Sequence, residues 1–215
     1  RMADDQQQAQ QGGAQPPRPG DPVPQDGLDP TQVFASPPPP PAQQGGQGDD
    51  DGAPPPQDMG PPPPPPGTQA TKEMGYDDED IRILGEVGDY RFGSVTMQLQ
   101  NDGIPVPEHP STTFDEQRFL TLLRRSTSLT RDEKWRIIQA IPKLSQFQVD
   151  ELQKILEEEH NKFRELSPKH LLQLMRLEQK HAADWQDLQA FNAQKEQKDS
   201  EAQQADEIRK QLGLS

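Results

Sequence analysis

The sequence predicts an all-helical C-terminal half preceded by a long intrinsically disordered arm, and three observations support this division. The chain has 215 residues, of which only 29% are hydrophobic, too few for one core that orders every residue. Residues 1–110 hold 23 of the 25 prolines and 15 of the 16 glycines. They also carry a net charge of −13, whereas residues 111–215 carry −1. Composition and charge therefore change together near residue 111.

Residues 1–72 form the predicted disordered arm, which consists of glutamine, glycine, aspartate and proline tracts. Proline runs such as Pro54–Pro56 and Pro61–Pro66 lack backbone donors and favour the extended polyproline II conformation. Such runs serve either as ligands for proline-binding grooves or as spacers that keep a chain extended. We favour the spacer, because basic side chains, which often anchor such ligands, are scarce in the arm.

The next segment, 73–110, is predicted to be an acidic linker with short strands or a linear motif. Four consecutive acidic residues precede the apolar residues Ile81, Ile83 and Leu84. Apolar and polar residues then alternate over 95–99, the period of a β-strand. A short strand of this kind can add to the edge of a partner's sheet. We therefore interpret Ile81, Ile83 and Leu84 as a candidate linear motif, with a collapsed linker as the alternative.

Local sequence signals predict four helices, three of which belong to a small domain at 111–166. A capping box, in which a hydroxyl residue is followed three positions later by Glu or Gln, occurs at Thr113, Thr130 and Ser145. Ser167 followed by Pro168 marks the fourth start, because proline is favoured at the first helical position. The predicted helices span 114–126, 131–141, 146–165 and 168–211.

The segment 167–215 is predicted to be one long amphipathic helix with a polar tail. A helix over 168–211 would extend about 65 Å, farther than a domain of this size can cover. Helices that extend beyond their own domain commonly pair with another helix, so we predict binding to a protein partner or a homo-oligomer. Residues 192–215 are alternatively a solvated tail. The candidate partner-binding residues are Leu171, Leu174, Met175, Trp185, Leu188 and Phe191.

Two Glu-x-x-His pairs raise the alternative of a small metal-binding protein with a di-iron-like ligand set. They are Glu157 with His160 and Glu178 with His181, and residues three apart share one helix face. Against a metal site, Glu157 begins a run of three glutamates, which is typical of a solvated surface. We therefore expect no metal and no other cofactor, and keep these four residues only as candidate ligands.

The chain carries no recognisable catalytic motif, so we expect a protein that is not an enzyme. It has no cysteine, no phosphate-binding glycine loop and no His-Glu-x-x-His sequence. The net charge of −14 argues against nucleic acid and membrane partners, and no small-molecule substrate is evident. No apolar run suits a membrane span or a signal peptide.

We expect a cytoplasmic adaptor or assembly protein. A second alternative is an acidic chaperone or scaffold for a basic client.

Overall fold

The computed structural model describes residues 60–214 together with Gly20 and Pro22. The part that it describes is helical and contains no β-strand, which confirms the all-helical prediction for the C-terminal half. Apart from Gly20 and Pro22, the predicted disorder of residues 1–59 lies outside the described residues. The helices are α1 (Asp78–Val87), α2 (Glu116–Arg125), α3 (Arg131–Ala140), α4 (Gln146–Arg164) and α5 (Leu171–Gln211).

The helix starts in the C-terminal half follow from local capping, with one difference from the prediction. The capping boxes at Thr130 and Ser145 are both present and begin α3 and α4. The predicted box at Thr113 is wrong, because Asp115 accepts the backbone amide of Arg118 (3.2 Å) and begins α2. Pro168 opens a 3₁₀ turn, Pro168–His170, that continues into α5 and gives the predicted long helix.

The main apolar core lies between α2, α3, α4 and the middle of α5. Burial of each large apolar side chain contributes about 1.5–3 kcal/mol, so this cluster dominates the stability of the fold. The indole Nε1 of Trp185 donates to the Gln100 carbonyl at 3.0 Å, which leaves its polar atom paired. The fully or almost fully buried members include Phe119, Leu120, Leu123, Trp135, Ile138, Val149, Leu152, Leu156, Trp185 and Leu188.

Helix α1 occupies a segment that the composition predicts to be a linker. Asp77 caps it, since the Asp77 carboxylate accepts the Asp80 amide and the Asp80 carboxylate accepts the Asp77 amide, each at 2.9 Å. Lys169 donates to Asp80 at 2.7 Å and ties α1 to the start of α5. The acidic run is therefore the first turn of a helix, where the backbone dipole favours negative charge.

The candidate linear motif Ile81, Ile83 and Leu84 lies within α1. Ile83 and Leu84 are buried against Leu171, and Ile81 is half-buried. The motif interpretation is therefore corrected, because the chain's own fifth helix covers the apolar residues that a partner would need to reach.

The predicted strand over 95–99 is also wrong. Residues Thr96–Gln98 form a 3₁₀ turn instead. A strand needs a neighbouring strand to pair its backbone amides, whereas here the amides of Gly93 and Thr96 donate to the carboxylate of Glu178. This side-chain acceptor holds the segment as a compact loop.

The last proline run, which its composition places in the disordered arm, packs on the helical domain. The Tyr76 hydroxyl donates to the Pro62 carbonyl at 2.5 Å, and Arg91 Nε donates to the Pro64 carbonyl at 2.7 Å. Pro64 is buried. The folded part of the chain therefore begins by residue 60, before the predicted boundary at residue 73.

The C-terminal part of α5 extends beyond the packed domain. Asn192 is the last buried residue of α5, and every side chain from Ala193 to Leu214 is exposed. None of the described helices is long and apolar enough to cross a membrane.

Candidate functional site

An arginine-lined cleft of about 660 Å³ lies where the loop at 90–97, the last proline run and the C-terminal ends of α2 and α4 meet. This size is in the range of protein ligand pockets. Among the described residues that line it, none is acidic, although the whole chain carries a net charge of −14. Its arginines are Arg91, Arg124, Arg125 and Arg164, and its apolar walls include Phe92, Met97, Phe163, Leu166 and Leu171.

Backbone carbonyl groups hold Arg91 in position. Its Nε donates to Pro64 at 2.7 Å, and its Nη1 donates to Gly88 at 2.9 Å and to Tyr90 at 2.6 Å. Carbonyl oxygens orient a guanidinium group without neutralising it, and Asp89, whose charge raises the pKa of Arg91 against the effect of burial, does not line the cleft. Arg91 therefore contributes a fixed positive charge to the cleft.

Arg124 and Arg125 are adjacent residues at the end of α2, and both are partly desolvated. Arg124 is only 7% exposed; its Nη1 donates to Asn101 at 2.7 Å, while its buried Nε has no hydrogen-bond partner among the described residues. Burial lowers the pKa of both guanidinium groups, and nearby Arg164 lowers the pKa of Arg125 further, whereas Glu157 and Glu178, which do not line the cleft, act on Arg125 in the opposite direction. The charges at this end of the cleft repel one another, so an anion placed between them would be stabilised.

The stabilisation of helix ends by basic side chains does not fully account for this cluster of arginines. Arg124, Arg125 and Arg164 lie in the last turns of α2 and α4, where a basic side chain stabilises a helix by about 0.3–1 kcal/mol. Arg91, however, comes from a loop, and the buried Nε of Arg124 makes no capping contact. The convergence of these side chains on an apolar hollow therefore favours a binding site.

His160 forms part of the cleft wall beside Phe92. The two ring centroids are 5.0 Å apart, and a Cβ atom added to Gly93 would lie 3.0 Å from His160 Cε1. Burial, with the positive charges of Arg125 and Arg164, lowers the pKa of His160 to about 4. The imidazole is therefore neutral at pH 7, and its buried Nδ1 has no hydrogen-bond partner within the described part of the chain.

Glu178 organises the loop that carries Arg91 and Phe92. The Glu178 side chain is 0% exposed, and its Oε1 accepts from the Tyr90 hydroxyl at 2.6 Å and from the Gly93 amide at 2.8 Å. Its Oε2 accepts from the amide and the hydroxyl of Thr96, at 2.7 and 3.1 Å. Four donors compensate for the burial of this carboxylate, and the loop is fixed against α5.

A second buried carboxylate, Glu159, fixes the segment that follows α2. It accepts from the Ser126 hydroxyl at 3.2 Å and from the backbone amides of Thr127 and Ser128 at 3.1 and 3.3 Å. The end of α2 is therefore attached to α4, and the positions of Arg124 and Arg125 depend on this contact.

The four candidate metal ligands do not come together. Glu157 pairs with Arg118 on the surface, His160 lines the cleft and Glu178 binds the loop amides. The Nδ1 of His181 lies 3.2 Å from the Nζ of Lys134. The described residues contain no cluster of three or more His, Asp or Glu side chains placed to hold a metal ion.

The predicted partner-binding face of α5 is occupied by the chain itself. Leu171, Leu174, Trp185 and Leu188 are buried, while Met175 and Phe191 are half-buried against the same clusters. The prediction that this face docks a partner is therefore wrong. An amphipathic stripe has the same spacing whether its cover comes from the same chain or another one.

Little in the sequence indicates the cleft. Its arginines are spread from Arg91 to Arg164, and residues 111–166 contain equal numbers of basic and acidic side chains. The adjacent pair Arg124 and Arg125 at a predicted helix end is the one signal that points to it. Comparisons with protein-family models, with curated proteins and with solved structures found no match for this chain.

Proposed function

We propose that this chain is a non-enzymatic adaptor that binds an acidic segment of a protein partner in the arginine-lined cleft. The observation that carries this proposal is the absence of acidic residues among the described side chains lining a cleft with four arginines. Complementary charge increases the rate of encounter with an acidic partner and disfavours basic competitors. The predicted tethering arm adds reach and, through effective concentration, strengthens a contact made elsewhere on the same assembly.

The shape of the surface favours an extended peptide over a compact small molecule. A shallower groove of about 250 Å³ shares Thr121 and Arg125 with the cleft and continues along α2. This groove also contains Arg118, Asp115 and Glu157, so its charges are mixed. A peptide lying along α2 would place its acidic residue in the cleft and neutral or basic residues in the groove.

The rim of the cleft adds an apolar contact. Met97 is 70% exposed and lines the cleft together with the buried rings of Phe92 and Phe163. Methionine adapts its shape to different partners, and interfaces are enriched in it. We therefore expect the partner segment to carry apolar residues next to its acidic one.

A selection from a random peptide library tests this proposal even though the partner is not identified. The full chain should enrich peptides with an acidic residue flanked by apolar residues. The double variant Arg125→Gln/Arg164→Gln should lose that enrichment, while Arg176→Gln, which alters an exposed arginine of α5 outside the cleft, should keep it. Enrichment that lacks acidic residues, or that survives in the double variant, would contradict the proposal.

The exposed end of α5 favours a second candidate function, assembly with a second copy of the chain. Ile208 in the last turn of α5 and Leu212, which follows the helix, are 55% and 68% exposed, and the Leu212 amide donates to the Ile208 carbonyl at 3.0 Å, so the two side chains lie on the same side. Residues 193–212 contain four basic and five acidic side chains, and this near-balance limits repulsion between two copies. The chain as a whole is far more acidic, with a net charge of −14.

Light scattering of the full chain tests this second candidate. A dimer mass for the native chain and a monomer mass for Ile208→Lys/Leu212→Lys would support it. A strict monomer at high protein concentration would exclude assembly through this helix.

A further inference from the structure

We propose that the anionic group received by the cleft is a phosphorylated side chain of the partner. This inference rests on the proposed function, because it assigns the chemical class of the acidic residue in the bound segment. A phosphate monoester carries a charge of about −1.5 to −2 at pH 7 and three acceptor oxygens, whereas a carboxylate carries one charge and two oxygens.

The charge of the cleft matches a dianion better than a single carboxylate. The positive charge of Arg164 lowers the pKa of Arg125, and both guanidinium groups, which line the same cleft, depress the pKa of His160. Glu157 and Glu178 offset part of the charge of Arg125 from outside the cleft, but one further carboxylate in the cleft would compensate only one of its four guanidinium groups. A dianion between the two arginines compensates both.

The cleft also has unused donors for the additional oxygens. Arg125 and Arg164 line the cleft, and neither side chain donates a hydrogen bond to a described residue. Thr121 and Ser94 also line the same space. Arginine forms paired hydrogen bonds to phosphate oxygens, and clusters of arginines are a recurrent means of recognising phosphorylated peptides.

The apolar part of the cleft favours a phosphorylated peptide over a free phosphate. Phe92, Phe163 and Met97 offer no hydrogen-bond donors to an inorganic ion, and the adjoining groove along α2 extends beyond the reach of one phosphate group. A peptide uses both surfaces, so its affinity should exceed that of the phosphate alone.

Titrations of the full chain with three probes distinguish a phosphorylated peptide from a carboxylate-containing peptide and from free phosphate. The first is a short leucine-containing peptide with one central phosphoserine, the second is the same peptide with glutamate in that place, and the third is inorganic phosphate. Binding is measured by calorimetry at pH 7.5 for the native chain, for Arg125→Gln/Arg164→Gln and for the control Arg176→Gln. Circular dichroism of each variant checks that it is folded.

We expect the phosphoserine peptide to bind about tenfold or more tightly than the glutamate peptide, and inorganic phosphate to bind more weakly than the phosphoserine peptide. The double variant should lose about tenfold or more of the phosphopeptide affinity, and Arg176→Gln should retain it. Equal affinity for the two peptides would overturn this inference but leave the proposed function intact. Binding of neither peptide would overturn both, and inorganic phosphate binding as tightly as the phosphopeptide would contradict a peptide source.

Discussion

The carboxylate of Glu178 accepts the backbone amide of Thr96 at 2.7 Å, although 82 residues separate them in the sequence. Through this contact a residue in the middle of α5 fixes the conformation of the loop that supplies Arg91 and Phe92 to the cleft. The cleft therefore depends on a buried carboxylate that does not line it.

Replacing Glu178 by alanine should strongly destabilise the fold. The substitution leaves the Gly93 and Thr96 amides and the Tyr90 hydroxyl without their acceptor, at a cost of about 3 kcal/mol in unfolding free energy. Urea denaturation measures this cost. Glu201→Ala on the exposed part of α5 should change stability by less than about 0.5 kcal/mol, and a similar loss in both variants would contradict the role assigned to Glu178.

Two glycine substitutions should have opposite effects. Gly93 has φ +96°, and a Cβ atom there would lie 3.0 Å from His160 Cε1, so Gly93→Ala should destabilise the fold by about 1–2 kcal/mol. Gly85 lies exposed within α1, and an added Cβ meets no atom within 4 Å, so Gly85→Ala should stabilise it by about 0.5–1 kcal/mol. Thermal denaturation of the two variants checks the signs, and a neutral Gly93→Ala would show that the loop is not packed against His160 as described.

The buried Lys134 should make the protein more stable as the pH rises above neutrality. Burial lowers the pKa of Lys134 to about 7, from an ordinary value of 10.5. Between these values the unfolded chain binds a proton that the folded chain does not, so unfolding free energy should increase by about 2 kcal/mol from pH 7 to pH 9. Urea denaturation across this range should show the rise in the native chain and in Lys154→Met, an exposed control, but not in Lys134→Met. An equal rise in Lys134→Met would assign the effect to other groups.

Deletion of residues 194–215 should leave the stability of the domain unchanged. No side chain from Ala193 to Leu214 is buried, so the deletion removes no core contact. The melting temperature of the shortened chain should match that of the full chain within about 2 °C. A large decrease would mean that the end of α5 packs on the domain or on a second copy in solution, and light scattering at the same concentration separates these two outcomes.

Local signals predict the helices better than they predict which surfaces those helices bury. The hydroxyl caps at Thr130 and Ser145 act within four residues, and the structure confirms both. The sequence patterns do not predict helix α1, because its capping box pairs two aspartates, Asp77 and Asp80, inside an acidic run that resembles a linker. Periodicity marks the Trp185 face as apolar but does not indicate that α2, α3 and α4 cover it.

Local sequence patterns also do not predict the candidate site, for a different reason. Its charges come from a loop and two helix ends that meet only in the folded chain, and each arginine alone resembles an ordinary surface residue. Glu178 interrupts an apolar stripe and has the spacing of a metal ligand, whereas its backbone donors lie more than 80 residues away. Long-range contacts of this kind leave no periodic signal in the sequence.

An acidic segment should bind between the loop at 90–97 and the ends of α2 and α4, because both the proposed adaptor function and the recognition of a phosphorylated side chain depend on this binding. Amide chemical-shift mapping of the ¹⁵N-labelled full chain, titrated with an acidic leucine-containing peptide, tests it most directly. We predict shifts concentrated at Arg91–Met97, 121–125 and 160–166, and their loss in Arg125→Gln/Arg164→Gln. Shifts confined to other surfaces, or unchanged shifts in that variant, would contradict it.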